Sequence, residues 1–210
     1  MAGIHARDAF RLMRIAGVIL AGGQARRLGG GDKPLLSIGG STMLARIIAA
    51  LRGETAVIAI NANGDPARFA TFNLPVLPDG SFAGQGPLAG VLAGLDWAAT
   101  VGADVLLTVP GDTPFIPHGL AGALTPAPAC AASNGRVHHL VALWPVPCRD
   151  HLRHMLSVPG SRAAVRFTEQ IGMRVVDFPA GKWDPFLNVN TAEDLTTARS
   201  LARPRGKDMA

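Results

Sequence analysis

A glycine-rich segment with three cations directly follows the first apolar run of the chain, in the stretch LAGGQARRLGGGDK. Gly22 and Gly23 lack a Cβ, so backbone N–H groups there can face a ligand, an arrangement that suits anions. Arg26 or Arg27, together with Lys33, would supply the positive charge that a triphosphate requires. The stretch matches neither the GxxxxGK[ST] loop nor a GxGxxG fingerprint in register with a helix. It therefore predicts a different type of phosphate-binding loop.

Polar residues also follow the next three apolar runs. Asn61 comes after the second run, Asp79 after the third and Asp112 after the fourth. Each is also an ordinary turn residue, and Asp79 in LPDGS and Asp112 in PGDTP fit turns on their own. In a parallel sheet, however, the carboxyl ends of the strands share one edge, where open α/β sheets bind ligands. We therefore expect these side chains to converge with the glycine-rich loop in one crevice.

The elements that must position these residues follow from hydrophobic periodicity. Strand-length apolar runs cover residues 15–20, 56–60, 74–77, 105–109, 137–143 and 174–178. Apolar spacing of i, i+3, i+4, i+7 predicts one helix at 44–51, with Ser41 available as N-cap, and another at 88–95, with Pro87 in its first turn. Strands that alternate with helices predict a three-layer, Rossmann-like α/β fold: a mostly parallel sheet with helices on both faces, in a single domain.

The second half of the chain is less regular. Its strands include at least one antiparallel to the rest, beside short helices around 149–157 and 161–171, and ALTPAPACAA reads as a loop. Thr191 and Asp194 form a helix-start pair, with Thr191 or Asn190 as the cap. His138 and His139 are adjacent in an alternating strand pattern, which sends their side chains to opposite faces.

The basic charge belongs to the ends of the chain. Residues 1–14 and 199–210 hold seven cations and two anions, which accounts for the formal net charge of +5. The chain has no Tyr and only 5% aromatic residues, so base-stacking platforms are few and no nucleic-acid partner is expected. We predict a basic N-terminal extension at 1–14, one folded domain at 15–202 and a basic C-terminal tail at 203–210.

Other site types and a membrane location are not indicated. Cys130 and Cys148 form no CxxC pair, so buried, inert thiols are expected rather than a metal site or a disulfide. No segment is predicted to be a membrane helix, because the longest charge-free stretch, residues 113–135, is interrupted by prolines. No signal peptide is predicted either, because MAGIHARDAFRLM lacks an apolar core followed by a small-residue cleavage site. A cytoplasmic protein without a membrane partner is expected.

The motifs resemble those of a known family. LAGGQARRLGGGDK resembles the LAGGxxxRMGxxDK signature of nucleotidyltransferases that join a nucleoside monophosphate to a phosphorylated partner. NAN, GPLAGVLAGL, PGDTPFIP and NVNTAEDL are similar, in the same order, to motifs of molybdenum cofactor guanylyltransferases. The resemblance spans about residues 15–200, with Leu28 in place of the usual Met. It implies that residues 15–202 form a nucleotidyltransferase domain.

The resemblance also implies an activity and a set of site residues. The reaction would transfer GMP from GTP to the phosphate of molybdopterin or Mo-molybdopterin, with Mg²⁺ held by Asp112. Catalytic roles would fall on Lys33, Arg27 and Asp112. The GTP contacts carried over from the family are Leu20, Ala21, Gly22, Gly23, Lys33, Asn61, Asp79 and Asp112. Asn188 and Asn190 match positions on the molybdopterin side, although both could instead cap the last helix.

Three other functions are also compatible with these motifs. A cytidylyltransferase for the same cofactor and sugar-phosphate nucleotidyltransferases share the opening signature, and base choice depends on few contacts. A non-enzymatic molybdopterin carrier would need neither a metal carboxylate nor a triphosphate loop, so Asp112 and Lys33 together disfavour it. Transient contact with a molybdoenzyme or a cofactor-insertion protein is a further expected partnership.

Overall fold

The computed structural model describes residues 13–22, 32–158 and 163–202. The strands in these ranges are β1 (Ile15–Leu20), β2 (Ser37–Ile38), β3 (Ser41–Thr42), β4 (Val57–Asn61), β5 (Val76–Leu77), β6 (Val105–Pro110), β7 (Ala129–Ser133), β8 (Arg136–Pro145) and β9 (Arg174–Asp177). The helices are α1 (Met43–Leu51), α2 (Pro87–Thr100), α3 (Leu120–Leu124), α4 (Arg149–Ser157), α5 (Ala164–Gln170) and α6 (Ala192–Ala202).

A seven-stranded sheet in the order β5-β4-β1-β6-β8-β7-β9 organises the fold. The pairs β1–β4, β1–β6, β4–β5 and β7–β9 are parallel. Strand β8 is antiparallel to both of its neighbours, so it alone runs against the other strands of this described sheet. Central strands such as IAGVIL in β1 are buried on both faces and are correspondingly apolar throughout. The prediction of a mostly parallel sheet with an antiparallel member is confirmed.

Helices cover both faces of the sheet. On one face, Ile19, Leu107 and Val109 of the sheet pack with apolar residues of α1 and α3. On the other face, Val18 and Leu106 pack with α2, α4 and α5. Neighbouring residues of one strand thus belong to opposite cores, because side chains alternate along a strand. The predicted three-layer arrangement is confirmed.

A third, smaller cluster joins the C-terminal helix to the start of the domain. Ile38 of the β2–β3 hairpin, Met43 of α1, and Val189 and Ala198 near and in α6 pack together, all fully buried. This packing returns the segment before α6 to the edge of the sheet where β1 and β6 end.

The start of α6 is a reciprocal capping arrangement. The Asp194 N–H donates to Thr191 Oγ1 at 3.1 Å, and Asp194 Oδ2 accepts from the N–H groups of Thr191 and Asn190, each at 2.9 Å. Thr191 is therefore the cap, and the side chain of Asn190 remains available for other contacts. Burial of the Asp194 carboxyl opposes ionisation, but these hydrogen bonds outweigh it and hold the pKa of Asp194 below its usual value.

Two local predictions were wrong. The N-cap of α1 is Thr42, the last residue of β3, whose side chain accepts from the Ala45 N–H at 3.0 Å; Ser41 lies one residue earlier in the same strand. The last four residues of the predicted ALTPAPACAA loop, together with Ser133, form β7, a fully buried strand. Small residues suit this position because β7 lies between β8 and β9 and is covered on both faces.

The expectations for the cysteines and the adjacent histidines agree with the structure. Cys130 is buried and Cys148 half-buried, both as free thiols. Burial raises the pKa of Cys130, and it raises that of Cys148 to about 12, so neither thiol is activated. His138 contacts Ser133 and Phe186, whereas His139 contacts Thr168 of α5 on the opposite face.

Candidate active site

A pocket of about 500 Å³ opens at the edge where the parallel strands end. It is bordered by the carboxyl ends of β1, β4 and β6, the N-terminal turn of α2, one residue of β8 and the segment before α6. The lining residues are Leu20, Gly22, Asn61, Asn63, Asp79, Gly84, Gly86, Pro87, Gly90, Pro110, Asp112, Leu140 and Asn188. The polar residues that follow separate strands in the sequence thus converge in one crevice, as parallel topology requires.

Lys33 links two distant parts of this edge. It begins a short 3₁₀ turn with Pro34, and its side chain is buried. Its Nζ donates to Asp112 Oδ2 at 2.7 Å and also to Asn190 Oδ1. A buried ammonium needs such partners because removal from water is costly without them. The result is a cation fixed beside the carboxylate at the end of β6.

Only one carboxylate oxygen of Asp112 has a hydrogen-bond partner among the described residues. Oδ2 holds Lys33, whereas Oδ1 is buried and has no hydrogen-bond partner among the described residues. Asn188 Oδ1 is likewise buried and unpartnered within those ranges. The Val189 N–H donates to the Asp112 carbonyl at 2.9 Å, which fixes the Asn188 segment against the end of β6. Asp112 and Asn188 both line the pocket, and each has an oxygen without a protein partner in the described ranges, which is the type of ligand that a hard cation prefers.

Asp79 is held by two asparagine amides. Asn61 Nδ2 donates to Asp79 Oδ1 at 2.8 Å and to the Leu77 carbonyl at 3.0 Å. Asn63 Nδ2 donates to Asp79 Oδ2 at 2.6 Å, and Asn63 Oδ1 accepts from the Asp79 N–H at 2.9 Å. The carboxylate is thereby fixed in orientation, while each of its oxygens retains capacity to accept from a ligand.

The N-terminus of α2 closes one side of the pocket through glycines. Gly86 is the N-cap with φ of 88°, a conformation that favours glycine, and Pro87 begins the helix. Free N–H groups and the helix dipole at such an end attract phosphate. One turn later, a Cβ on Gly90 would lie 2.8 Å from Asn61 Cγ and closer still to Oδ1. Glycine at position 90 is therefore what leaves room for the Asn61 side chain.

The structure distributes the sequence-predicted residues unevenly. Leu20, Gly22, Asn61, Asp79, Asp112 and Asn188 line the pocket, whereas Lys33 and Asn190 are not in its lining but are joined to it through the bond between Lys33 and Asp112. Ala21 is buried and its N–H donates to the Asn61 carbonyl at 2.8 Å, so this N–H serves the sheet and is not directed at a ligand. Gly23, Arg26 and Arg27 lie outside the described residues.

Sequence reasoning missed several pocket residues. Asn63, Gly84, Gly86 and Leu140 all line the cavity. The NAN motif contains Asn63, and a second amide two residues after Asn61 on an extended segment was an available signal. Leu140 carried none, because its position depends on the path of an antiparallel strand.

Comparison with known proteins defines the family. A family model described as the MobA-like NTP transferase domain matches residues 17–172. The chain belongs to the MobA-like NTP transferase family. The molybdenum cofactor guanylyltransferase of Acidiphilium cryptum is 55% identical to this member over 183 residues, which cover 87% of this chain and 93% of the relative. The enzyme of that name from a Bradyrhizobium species is 45% identical over 203 residues, covering 92% and 96%. The resemblance indicated by the motifs is confirmed.

Solved structures confirm the fold of this MobA-like domain. Molybdopterin-guanine dinucleotide biosynthesis protein A from Archaeoglobus fulgidus superposes with a TM-score of 0.67 at 19% identity, covering 90% of this chain and 98% of the other. The 2-C-methyl-D-erythritol 4-phosphate cytidylyltransferase of Thermus thermophilus gives 0.65 at 19% identity, covering 91% and 100%. At such identities the match concerns architecture and leaves substrate choice to the site residues.

The described residues contain neither a metal-binding cluster nor a membrane-spanning helix. Within residues 13–22, 32–158 and 163–202, no group of three or more His, Cys, Asp or Glu side chains is arranged to hold a metal ion. In those same ranges, none of the helices combines the length and hydropathy that a bilayer crossing needs.

Proposed function

We propose that this protein transfers GMP from GTP to the terminal phosphate of molybdopterin, or of Mo-molybdopterin, and releases pyrophosphate. The observation that carries the proposal is the meeting of Lys33, Asp112 and Asn190 beside a pocket that also contains Asp79. The names of relatives at 45–55% identity supply the substrates. A cytoplasmic location is part of this proposal.

The nucleotide fits the part of the pocket between β1, β4 and α2. Asp79, held by Asn61 and Asn63, presents carboxylate oxygens that can accept from the N1–H and 2-amino groups of guanine. The backbone at Leu20 and Gly22 and the N-terminal turn of α2 would face the phosphates. Arg27, with Gly23, completes the phosphate loop in this proposal by analogy with the family motif.

A divalent metal fits at Asp112. The family is one of metal-dependent transferases, and the buried, unpartnered Oδ1 of Asp112 is the kind of hard oxygen that Mg²⁺ prefers. We propose that Asp112 holds Mg²⁺ there; when bound, the ion would neutralise charge on the transferring phosphates. The open oxygen of Asn188 lies in the same pocket and would face the ion or the acceptor.

The residues present match the demands of this reaction. The acceptor phosphate is already an anion, so its attack on the α-phosphorus of GTP requires no general base. What the site must supply is orientation of two polyanions and positive charge near the departing pyrophosphate. Lys33, fixed by Asp112 and Asn190, is positioned to provide part of that charge. Asn188 and Asn190 would face the acceptor.

Pyrophosphate release separates the candidate functions. Purified protein with molybdopterin and Mg²⁺ is supplied with GTP, CTP or UTP in turn, with omission of molybdopterin as the control. Of the three nucleotides, only GTP is expected to give pyrophosphate release. Preference for CTP would identify a cytidylyltransferase. Absence of pyrophosphate release with all three nucleotides would support a non-enzymatic molybdopterin carrier. Chelation of metal by EDTA is expected to stop turnover and added Mg²⁺ to restore it.

A further inference from the structure

Ser133, His138 and Asp184 form a hydrogen-bonded group, and His138 and Asp184 are close in the chain to residues that line the pocket. Ser133 Oγ lies 2.8 Å from His138 Nε2 and 2.6 Å from Asp184 Oδ1. Ser133 is fully buried at the end of β7, and Asp184 precedes the segment that carries Asn188 and Asn190. Neither the motifs nor the nucleotide site uses these three side chains.

A bulge in β8 brings His138 to this position. Cys130 of β7 pairs with Ala142, but the next residue, Ala131, pairs with His138. Residues 139–141 of β8 lie between these pairs without a partner on β7. Because their number is odd, the alternation of side chains between the two faces of the sheet is reversed from one end of the bulge to the other. His138 consequently packs against Phe186, with ring centroids 5.1 Å apart, while Leu140 within the bulge lines the pocket.

The group is connected through the chain to two residues that line the pocket. His138 is two residues from Leu140, and Phe186 is two residues from Asn188; Leu140 and Asn188 both line the cavity. The Phe186 N–H donates to Asp184 Oδ1 at 2.8 Å, which fixes this segment to the group. Two residues span at most about 7 Å, so the Cα of His138 lies within that distance of the Cα of Leu140, and this is the basis for placing His138 near a ligand that extends from the pocket past Asn188.

The hydrogen bonds of Ser133 fix the tautomer of His138. Partial burial opposes ionisation of Asp184, but hydrogen bonds from Ser133 and the Phe186 N–H outweigh it and lower the pKa of Asp184. The ionised carboxylate only accepts, so Ser133 must donate its single proton to it. Ser133 must then accept from His138, which places the imidazole proton on Nε2.

His138 therefore offers a bare nitrogen. Burial lowers its pKa and outweighs the charge of Asp184, so the ring is neutral at pH 7. A neutral ring with its proton on Nε2 has a lone pair on Nδ1. Within the part of the chain that the structure describes, Nδ1 makes no hydrogen bond. The site thus presents an acceptor, fixed in orientation, that is complementary to an N–H or O–H donor.

We propose that His138 Nδ1 accepts a hydrogen bond from an N–H group of the pterin ring of the acceptor substrate, with Ser133 and Asp184 as positioning residues. This inference rests on the proposed function. The acceptor has three chemical parts, and its phosphate and dithiolene sulfurs are anionic acceptors that a bare nitrogen repels. The reduced pterin carries several N–H donors, so it alone matches Nδ1.

A purely structural role is the alternative that a test must separate. In that case the group would only tie the Asp184–Phe186 segment to β7, and Nδ1 would be irrelevant. His138→Gln places an amide N–H near the position of Nε2, preserving the bond to Ser133 while removing the Nδ1 acceptor. His138→Phe removes both. The two variants therefore distinguish the tether from the acceptor.

Steady-state kinetics with varied molybdopterin or varied GTP provides the measurement. Both His138 variants are expected to raise KM for molybdopterin about 10-fold or more, while KM for GTP and kcat change less than about 2-fold. Ser133→Ala should raise the same KM to a smaller extent, because the ring can then rotate. The control is His139→Asn, which faces α5 and retains a donor to Thr168 Oγ1. It should match wild type.

The inference is overturned if His138→Gln behaves as wild type while His138→Phe is impaired, or if KM for GTP rises in parallel. Nitrogen NMR of the imidazoles gives a readout independent of turnover. His138 is expected as the Nε2–H tautomer at pH 7, and an Nδ1–H form would also overturn it. Activity of the wild-type protein with GTP and molybdopterin tests the proposed function separately, so failure of either is recognisable.

Discussion

Lys33 Nζ lies 2.7 Å from Asp112 Oδ2, although the two residues are 79 positions apart in the chain. The exposed fractions of the two side chains are 9% and 22%, so water screens this pair little. The contact joins the end of the glycine-rich loop to the end of β6. The second oxygen of Asp112 is a buried acceptor that has no hydrogen-bond partner among the described residues.

Asp112→Asn should abolish most of the activity without changing the shape of the site. The amide cannot hold a divalent metal as a carboxylate does, and it leaves buried Lys33 without its counter-charge. We expect kcat to fall roughly 100-fold or more, corresponding to about 2.7 kcal/mol of lost transition-state stabilisation. Pyrophosphate release at saturating substrates measures this. Asp150→Asn, on the exposed face of α4, should leave kcat unchanged; a folded Asp112 variant within threefold of wild type would contradict the mechanism.

Asp79→Ala should weaken nucleotide binding more than turnover. The substitution removes the acceptor of two asparagine amides and, in our proposal, of the guanine edge. Loss of hydrogen bonds to a charged group costs about 1.5–3 kcal/mol, so the Kd for GTP should rise about 10- to 150-fold. Calorimetric titration with GTP and with CTP measures both affinity and base preference. Unchanged GTP affinity would remove Asp79 from the nucleotide site.

Gly90→Ala should disturb Asn61 and, through it, Asp79. A methyl group at position 90 would occupy the space of the Asn61 amide. We expect a loss of about 1–3 kcal/mol in unfolding free energy, together with weaker GTP binding. Urea denaturation and GTP titration check the two effects.

Gly122→Ala is the matched control, because Gly122 is an exposed residue of α3 whose Cβ would meet no atom within 4 Å. It should be neutral or stabilising by up to about 1 kcal/mol. Equal effects of the two substitutions would argue against the steric explanation.

Asp194→Ala should destabilise the domain in a pH-dependent manner. The variant loses the acceptor of the Asn190 and Thr191 N–H groups, at a cost of about 1 kcal/mol at pH 7. Because the pKa of Asp194 is lower in the folded state, its stabilisation is present above the unfolded value near 3.9 and is lost as pH falls further, through the folded value. Urea titrations at pH 7 and below pH 4 should show the difference from wild type shrinking. Glu193→Ala, the exposed neighbour, should have a smaller effect, and an Asp194 effect that grew on acidification would contradict this account.

The predictions from the sequence succeeded where the determinant is local or topological. The helical apolar spacing at 88–95, with Pro87 before it, predicted α2. Thr191 with Asp194 predicted the start of α6. The convergence of Asn61, Asp79 and Asp112 followed from parallel strands sharing one edge. β7 was missed because its run of small residues follows Pro126 and Pro128, and neither periodicity nor β-propensity distinguishes such a run from a loop.

The sequence by itself determined the family, the order of most strands and helices, and which strand ends carry polar groups, because these depend on short-range pattern. Tertiary structure alone decided that Lys33 bonds to Asp112 and Asn190, that Asn63 helps to hold Asp79, and that a bulge turns His138 toward Ser133. These contacts join residues from different strands and loops. Their geometry depends on register and on how buried polar groups find partners, which no local sequence pattern encodes.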